Sequence, residues 1–237
     1  MATRTPLATA VGRRRLPPLW VVRGVMAMRA ALRRWADALV PTDVLLMEHA
    51  GVFGKPILLR LVTEMQIPDI LAERGPMTAA EIARLADVQP DMLHRALRFL
   101  CTFDVFKLDG QGRFSNTRLS SELTKGAVMR NAVLLLGGEL NFQLWDNLED
   151  TVRTGADAFS RRRGSPWEWF TAHPDDGERF VHGMASLTAM EAAFIAGSYP
   201  YGQFRVVCDV GGGSGVLLAS ILARCPDTRA ILVDRAS

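Results

Sequence analysis

VVCDVGGGSGVLLASILARCPDTRAILVD, at residues 206–234, is the stretch that decides the fold class. The apolar run 206–208 is typical of a buried strand, and a glycine loop follows it. Residues 216–225 predict a helix, and residues 230–233 predict a second apolar strand, which ends at Asp234. A strand, a glycine loop, a helix and a second strand in this order predict a β-α-β unit with parallel strands.

The loop has the composition of a ligand-binding turn. Glycine is required where the chain turns sharply and where a ligand approaches the backbone closely. The spacing is G-x-G-x-G and not the dinucleotide fingerprint G-x-G-x-x-G, because Val216 stands where that fingerprint needs a glycine. The charge of Asp209 would repel a pyrophosphate and attract an ammonium group, and Asp234 is placed to accept hydrogen bonds from ribose hydroxyls. We therefore predict a nucleoside-cofactor site formed by Asp209, Gly211, Gly212, Gly213, Gly215 and Asp234.

The overall composition is that of a globular protein. Hydrophobic residues make up 49% of the 237 residues and charged residues 22%. The cysteines are odd in number and lie outside any C-x-x-C pair, and the histidines lack metal-ligand spacing. We therefore predict no disulfide framework, no metal site and a cytoplasmic location.

Residues 1–41 are interpreted as a basic N-terminal extension followed by a first helix. Apolar residues recur at helical spacing over 19–40, and the first acidic residue of the chain is Asp37. Because Arg23 and Arg29 interrupt the apolar stretch, it predicts neither a membrane span nor a signal-peptide core. A tail that leads into an amphipathic helix is favoured over a transit peptide.

Residues 42–125 have the pattern of a winged helix. Thr78 and Glu81 form a capping box for a helix over 79–86, and a second helix begins after Gln89. Two strand-like runs around a glycine turn follow, which completes the order helix, turn, helix, hairpin. Between Pro76 and Thr124 there are six basic and six acidic residues, so a DNA-reading function is disfavoured and we predict no nucleic-acid partner.

Longer helices are predicted before and after the helix, turn, helix and hairpin of residues 76–125. One is predicted to run from Lys55 to Glu73. Residues 126–200 are predicted to be a helical linker or substrate region, with one helix that includes Leu134 and Leu148 and ends near Thr154, and another from Pro174 to about Gly197. The aromatic and methionine residues of this region either pack in a core or line a pocket for a flat apolar ligand, and spacing leaves both open.

Four stretches resemble the S-adenosylmethionine-dependent O-methyltransferases of small molecules, which include plant phenylpropanoid enzymes and bacterial polyketide and carotenoid enzymes. In residues 42–125, MTAAEIARLADVQPDMLHRALRFL is similar to the family's N-terminal domain. Residues 137–159 and 167–188 are similar to its linking helices. DVGGGSG at 209–215 is close to its DVGGGxG loop. The resemblance thus covers nearly all residues from about 42 onward.

The resemblance implies a mainly α N-terminal winged-helix dimerisation domain followed by the start (β-α-β) of an α/β Rossmann-like methyltransferase domain. It implies a homodimer, S-adenosyl-L-methionine as cofactor, and methylation of a hydroxyl on a small aromatic or polyketide-like molecule. Asp209 and the glycines would line the cofactor site, and Asp234 would bind its ribose. Trp145 and Met184 would be candidates for the substrate wall.

The family's catalytic group is a histidine base that removes the hydroxyl proton of the acceptor. It lies in the later half of the cofactor domain, and no histidine here matches its position, so no catalytic residue is assigned. Residues 201–237 are interpreted as an incomplete cofactor domain, and we expect no turnover from the chain as given. Two alternatives stay open at this stage: a non-catalytic dimerisation module derived from such an enzyme, and a winged-helix DNA-binding regulator.

Overall fold

The structure is a computed structural model that describes residues 17–146 and 148–235. The chain divides into two compact units. The terminal unit contains the described residues up to Gly54 and from Thr188 onward, and the central unit contains Lys55–Leu187. The predicted loose segment over 1–18 lies, for residues 1–16, outside the described residues.

The terminal unit begins and ends with separate groups of elements. Its N-terminal helices are α1 (Leu19–Asp37) and α2 (Thr42–Gly51). Its C-terminal part contains a 3₁₀ turn (Tyr201–Gln203), strand β4 (Val206–Val210), helix α14 (Val216–Leu222) and strand β5 (Arg229–Val233).

The central unit is mostly helical and carries a small sheet. Its first elements are α3 (Gly54–Glu64), α4 (Ile67–Arg74), β1 (Met77–Thr78), α5 (Ala79–Ala86), α6 (Pro90–Cys101), β2 (Phe106–Leu108), β3 (Arg113–Asn116) and α7 (Arg118–Ser121). The later helices are α8 (Arg130–Leu136), α9 (Glu139–Trp145), α10 (Leu148–Thr154), α11 (Ala158–Arg163), α12 (Pro166–Ala172) and α13 (Pro174–Ser198), the last of which continues into the terminal unit.

The small sheet organises the core of the central unit. Its strands are antiparallel in the order β1-β3-β2, with Phe114 opposite both Met77 and Leu108. Because side chains alternate between the faces of a strand, Phe114 and Phe106 both point into the core, where they are fully buried. The other large core residues come from the helices around the sheet: Val62, Ile67, Leu71, Ile82, Leu93, Leu97 and Leu100.

Local capping explains where helices α5 and α6 begin. The Thr78 hydroxyl accepts a hydrogen bond from the Glu81 amide, and the Glu81 carboxylate accepts one from the Thr78 amide at 2.8 Å. This capping box satisfies backbone donors that the first turn of α5 leaves unpaired. The side chain of Gln89 does the same for α6 by accepting from the Met92 amide at 2.9 Å.

Two predicted long helices are interrupted. The helix predicted from Lys55 to Glu73 is wrong as a single element, because Gln66 has a φ of 56° between α3 and α4. Pro68 lacks an amide hydrogen, so it fits the first turn of a new helix and not the middle of an old one. The helix predicted from Leu134 to about Thr154 is also wrong as a single element, because the range contains the ends of α8, α9 and α10. The first division comes after Leu136, where a Cβ on Gly137 would overlap the carbonyl of Pro56. That close approach ties α8 to α3.

A mostly buried ion pair joins distant segments of the central unit. The Arg130 guanidinium lies 3.1 Å from the Asp69 carboxylate, and the two side chains are 15% and 12% exposed. Arg130 also donates to the carbonyls of Leu123 and Thr63, at 2.6 Å and 3.0 Å. The Lys125 amide donates to the other oxygen of Asp69 at 2.7 Å. These bonds satisfy carbonyls near the end of α3 and after α7 that have lost contact with water.

The C-terminal part of the terminal unit is a β-α-β arrangement. β4 and β5 pair in parallel from Val206 opposite Arg229 to Val210 opposite Val233. Helix α14 connects them and buries Val216, Leu218 and Ile221. Parallel strands need such a crossover because the end of the first strand and the start of the second lie at opposite edges of the sheet.

One helix among the described residues, α13, is long and apolar enough to cross a membrane by length and composition. A core helix of a globular protein passes the same test, so this observation alone is weak evidence. The expectation of no membrane span stays a prediction.

Candidate cofactor site

The glycine loop follows β4 in a backbone conformation that side chains disfavour. Gly211, Gly213 and Gly215 have φ angles of 77°, 54° and 73°. A residue with a Cβ would be strained by roughly 1–2 kcal/mol in this region. No heavy atom of the surrounding structure lies within 4 Å of the Cβ position at Gly211 or Gly213. The backbone there is therefore open to a ligand.

Gly212 is required for a different reason. A Cβ at this position would lie 2.5 Å from Oδ2 of Asp209 and 2.5 Å from Cδ1 of Leu232. The missing side chain lets the Asp209 carboxylate lie against the loop backbone. Leu232 also approaches Gly215, whose Cβ position is 3.3 Å from its Cδ2.

Asp234 connects the end of β5 to the loop. Its Oδ2 accepts a hydrogen bond of 2.6 Å from the Gly213 amide, and its Oδ1 accepts one of 2.7 Å from the Arg235 amide. An ionised carboxylate has about four acceptor positions on its two oxygens. Within the described part of the chain these two bonds use half of them, so the carboxylate keeps acceptor capacity for hydroxyl groups.

Backbone hydrogen bonds hold the loop between the strands and α14. The Gly211 amide donates to the Val233 carbonyl at 2.7 Å, and the Gly215 amide donates to the Gly212 carbonyl at 2.9 Å. Gly215 then begins α14, where the Ala219 amide donates to its carbonyl at 2.9 Å. The parallel register places Asp209 beside Leu232, so both acids lie at the carboxyl edge of the sheet. This is the edge at which open α/β sheets bind ligands.

The structure brings the predicted loop residues together within the terminal unit. Asp209, Gly212, Gly213 and Asp234 are linked by the close approaches described above. Trp145 and Met184 belong to α9 and α13 in the central unit, with exposures of 59% and 42%, and their role stays a prediction. The sequence interpretation did not single out Leu232. It is one of four consecutive apolar residues in the predicted strand 230–233, and no local signal separates it from the other three.

Three of the histidines have contacts of a structural kind. His94 packs edge-on against Phe114, and His173 stacks on the Trp169 ring at 3.6 Å between centroids. His182 lies 3.4 Å from Glu178 one turn away, and both side chains are largely exposed. Within the described ranges no group of acids, cysteines and histidines has the arrangement of a metal site.

A depression of about 660 Å³ lies on the central unit, lined by Glu73, Arg74, Pro76, Met77 and Glu81. It is shallow and open to solvent, and it contains no residue of the glycine loop. Its lining includes the capping-box carboxylate, whose pKa is lowered by hydrogen bonds from Thr78. We regard it as a surface feature.

Comparison with known proteins adds independent information. Residues 47–126 match an O-methyltransferase dimerisation domain, and residues 145–237 match an O-methyltransferase domain. Over 192 residues the chain is 31% identical to a 3-amino-4-hydroxybenzoate 4-O-methyltransferase of Streptomyces cremeus, covering 80% of this chain and 52% of the relative. Over 211 residues it is 33% identical to an aclacinomycin 10-hydroxylase of Streptomyces purpurascens, covering 84% and 56%.

A solved relative has the same fold. It is an O-methyltransferase from neocarzinostatin biosynthesis in complex with S-adenosylmethionine and 2-hydroxy-5-methyl naphthoic acid. The TM-score is 0.62 at 29% identity, over 78% of this chain and 58% of the relative. The chain spans about half the length of the curated relatives it matches. With both domains matched in order along the sequence, the chain belongs to the O-methyltransferase family.

Proposed function

We propose that this chain binds S-adenosyl-L-methionine through its glycine loop and serves in methyl transfer to a hydroxyl of a small aromatic or polyketide-like molecule. The observation that supports this most strongly is the pairing of Asp234 with Gly213 beside open backbone at Gly211. The relatives named above include an enzyme of a hydroxybenzoate and one bound to a naphthoic acid.

The residues of the loop fit this cofactor. Open space beside the Cβ positions of Gly211 and Gly213 accommodates a ligand against the backbone. Asp234 has acceptor capacity for both ribose hydroxyls, and the negative charge of Asp209 favours the ammonium of the amino-acid tail. When bound, the cofactor supplies a methyl group on a positively charged sulfur. The part of the chain described here orients the ligand and holds its polar ends.

We assign no catalytic base. The three histidines of the central unit have the packing and surface contacts described above, and the fourth, His49, is exposed near the end of α2. We therefore expect this chain to bind the methyl donor and not to turn it over. Transfer of label from S-adenosylmethionine to any member of a panel of phenols would contradict that expectation.

We further propose a cytoplasmic homodimer with the domain boundaries of the sequence interpretation. In it, residues 42–125 form a winged-helix-like dimerisation domain, 126–200 a helical substrate region and 201–237 the start of a Rossmann-like domain. The match of a dimerisation domain to 47–126 supports the dimer, as does the 73% exposure of Met47. Sedimentation of the chain as a stable monomer at micromolar concentration would contradict it.

We propose that Trp145 and Met184 contact the acceptor. Both are large, apolar and exposed, so each has contact area to offer a flat ring. The test is acceptor binding to Trp145→Ala and Met184→Ala in the dimer. Unchanged affinity in both variants would remove them from the substrate wall.

Hydroxylation is a second candidate, because the relative at 33% identity is named as a hydroxylase. The two activities differ in the group that is added to the acceptor. Because no turnover of the methyl donor is expected from this chain, mass spectrometry should find the acceptor unchanged, and it distinguishes an added methyl group from an added oxygen atom if either is formed. An added oxygen without a transferred methyl would replace the methyltransferase proposal.

A further inference from the structure

Helix α1 presents a continuous apolar side to solvent. From Val25 to Trp35 its large apolar residues recur at spacings of three and four, which places them on one side of a helix, and Trp20 lies at the edge of the same side. Both tryptophans are strongly exposed, Trp20 at 75% and Trp35 at 67%. Between them lie three further residues on the same side that are at least half exposed: Val25, Met28 and Leu32.

The other side of α1 is basic. Arg23 and Arg34 lie about three turns apart on one flank, and Arg29 and Arg33 lie one turn apart on the other. All four are exposed, and α1 contains no acid before its last residue, Asp37. A helix with exposed tryptophans on one side and arginines at the flanks has the pattern of a segment that lies at a membrane surface.

Helix α1 lies outside the residues that match the family's dimerisation domain. That domain matches residues 47–126, and α1 ends at Asp37. Packing the apolar sides of two copies of α1 together would bring arginine flanks next to each other. Like charges at such flanking positions destabilise a helix pair, and α1 offers a single acid to offset four arginines.

We propose that α1 is a docking surface for an anionic lipid bilayer, on which it lies parallel to the membrane plane. The helix is about 28 Å long, and its arginines exclude a transmembrane position. The tryptophans lie at the depth of the lipid headgroups, where their rings meet apolar chains and their N–H groups meet water. The arginine stems lie along the apolar boundary, and their guanidinium groups contact lipid phosphates. This surface would bring the proposed cofactor site to apolar acceptors dissolved in a membrane.

The test is co-sedimentation of the 237-residue chain with vesicles. Vesicles of phosphatidylcholine with phosphatidylglycerol are compared with vesicles of phosphatidylcholine alone, at low and high salt. The variant replaces the four arginines with glutamine: Arg23→Gln, Arg29→Gln, Arg33→Gln and Arg34→Gln. Its matched control removes four exposed arginines of the central unit: Arg84→Gln, Arg95→Gln, Arg98→Gln and Arg118→Gln.

We expect binding to the anionic vesicles, weakened by salt and reduced at least about tenfold by the α1 variant. The control variant should bind as the original chain does. A second variant, Trp20→Ser with Trp35→Ser, should lose binding while keeping all four arginines. Circular dichroism verifies that each variant keeps its helix content.

Two results would overturn the proposal. One is equal binding by the α1 variants and the control, which would place the lipid contact elsewhere. The other is no binding of the original chain to the anionic vesicles; if the tryptophan variant also converts a dimer to a monomer, the apolar side belongs to the contact with a second copy of the chain. Binding of S-adenosylmethionine is measured in a separate experiment, so neither of these two results would contradict the proposed cofactor site.

Discussion

The Asp234 carboxylate accepts a hydrogen bond of 2.6 Å from the Gly213 amide, which ties the end of β5 to the middle of the glycine loop. This bond fixes the carboxylate beside the loop backbone, which is open to a ligand at Gly211 and Gly213. A charge fixed in this way needs little reorganisation when hydroxyl groups arrive. The relationship gives the cofactor proposal consequences that can be measured.

Replacing Asp234 with asparagine should weaken binding of S-adenosylmethionine by about 10- to 100-fold. The change keeps the shape of the side chain and removes the charge that strengthens hydrogen bonds from ribose hydroxyls. Equilibrium dialysis with labelled cofactor measures the effect. Asp227→Asn, in the exposed turn before β5, removes the same charge and should leave affinity unchanged. Equal affinities of the two variants would contradict the role of Asp234.

Gly211→Ala should abolish cofactor binding, because the added methyl group would occupy the open space beside the backbone. Its effect on the free energy of unfolding should be limited to the backbone strain at this position. Gly112→Ala is a matched control, because its φ of 76° equals the 77° of Gly211 within a degree and both Cβ positions are in open space. Each substitution should cost about 1–2 kcal/mol of unfolding free energy. Urea unfolding and dialysis on both variants separate strain from ligand contact. Loss of binding in both, or in neither, would contradict a ligand against Gly211.

Arg130→Met should destabilise the central unit by about 3 kcal/mol. The substitution leaves the Asp69 carboxylate without its guanidinium in a site where both side chains are mostly buried. It also removes donors from the carbonyls of Leu123 and Thr63. Arg153→Met is the control, because its ion pair with Glu149 is more than two-thirds exposed and should contribute less than about 1 kcal/mol. Similar unfolding midpoints in urea for the two variants would show that the Asp69 pair contributes little.

The capping box of α5 should respond to acid. Hydrogen bonds from the side chain and backbone of Thr78 lower the pKa of Glu81 from its ordinary 4.5. A lowered pKa in the folded state contributes stability that is fully present above 4.5 and is lost as the pH falls through the folded value. In Thr78→Val the NMR titration midpoint of Glu81 should therefore rise toward 4.5, and the stability difference from the original chain should narrow in acid. An unchanged midpoint would contradict the assigned cause.

The elements that sequence reasoning predicted best are those marked by a local signal in the sequence. Thr78 with Glu81 marks the start of α5, and the glycine spacing with Asp209 and Asp234 marks the loop. Such signals depend on bonds between residues that are close in sequence, so they can be recognised without the fold. The domain boundaries and the substrate residues stay predictions.

The breaks in the long helices had weaker signals. Pro68 was evidence against a continuous helix from Lys55 to Glu73, but the left-handed conformation of Gln66 depends on the packing of α4 in the core. Gly137 ends α8 where α3 approaches too closely for a side chain, which is a contact between segments distant in sequence. The network of Asp69 and Arg130 is equally long-range. A pattern of periodicity contains no information about such contacts.

The central claim is that the glycine loop and Asp234 form a binding site for S-adenosylmethionine. The most direct measurement is a ¹H–¹⁵N NMR titration of the chain with this cofactor. The account predicts saturable shifts of the amides of Gly211, Gly213 and Arg235, and loss of those shifts in Asp234→Asn. Amides of the loop that stay unmoved at millimolar cofactor, or that shift equally in the variant, would contradict it.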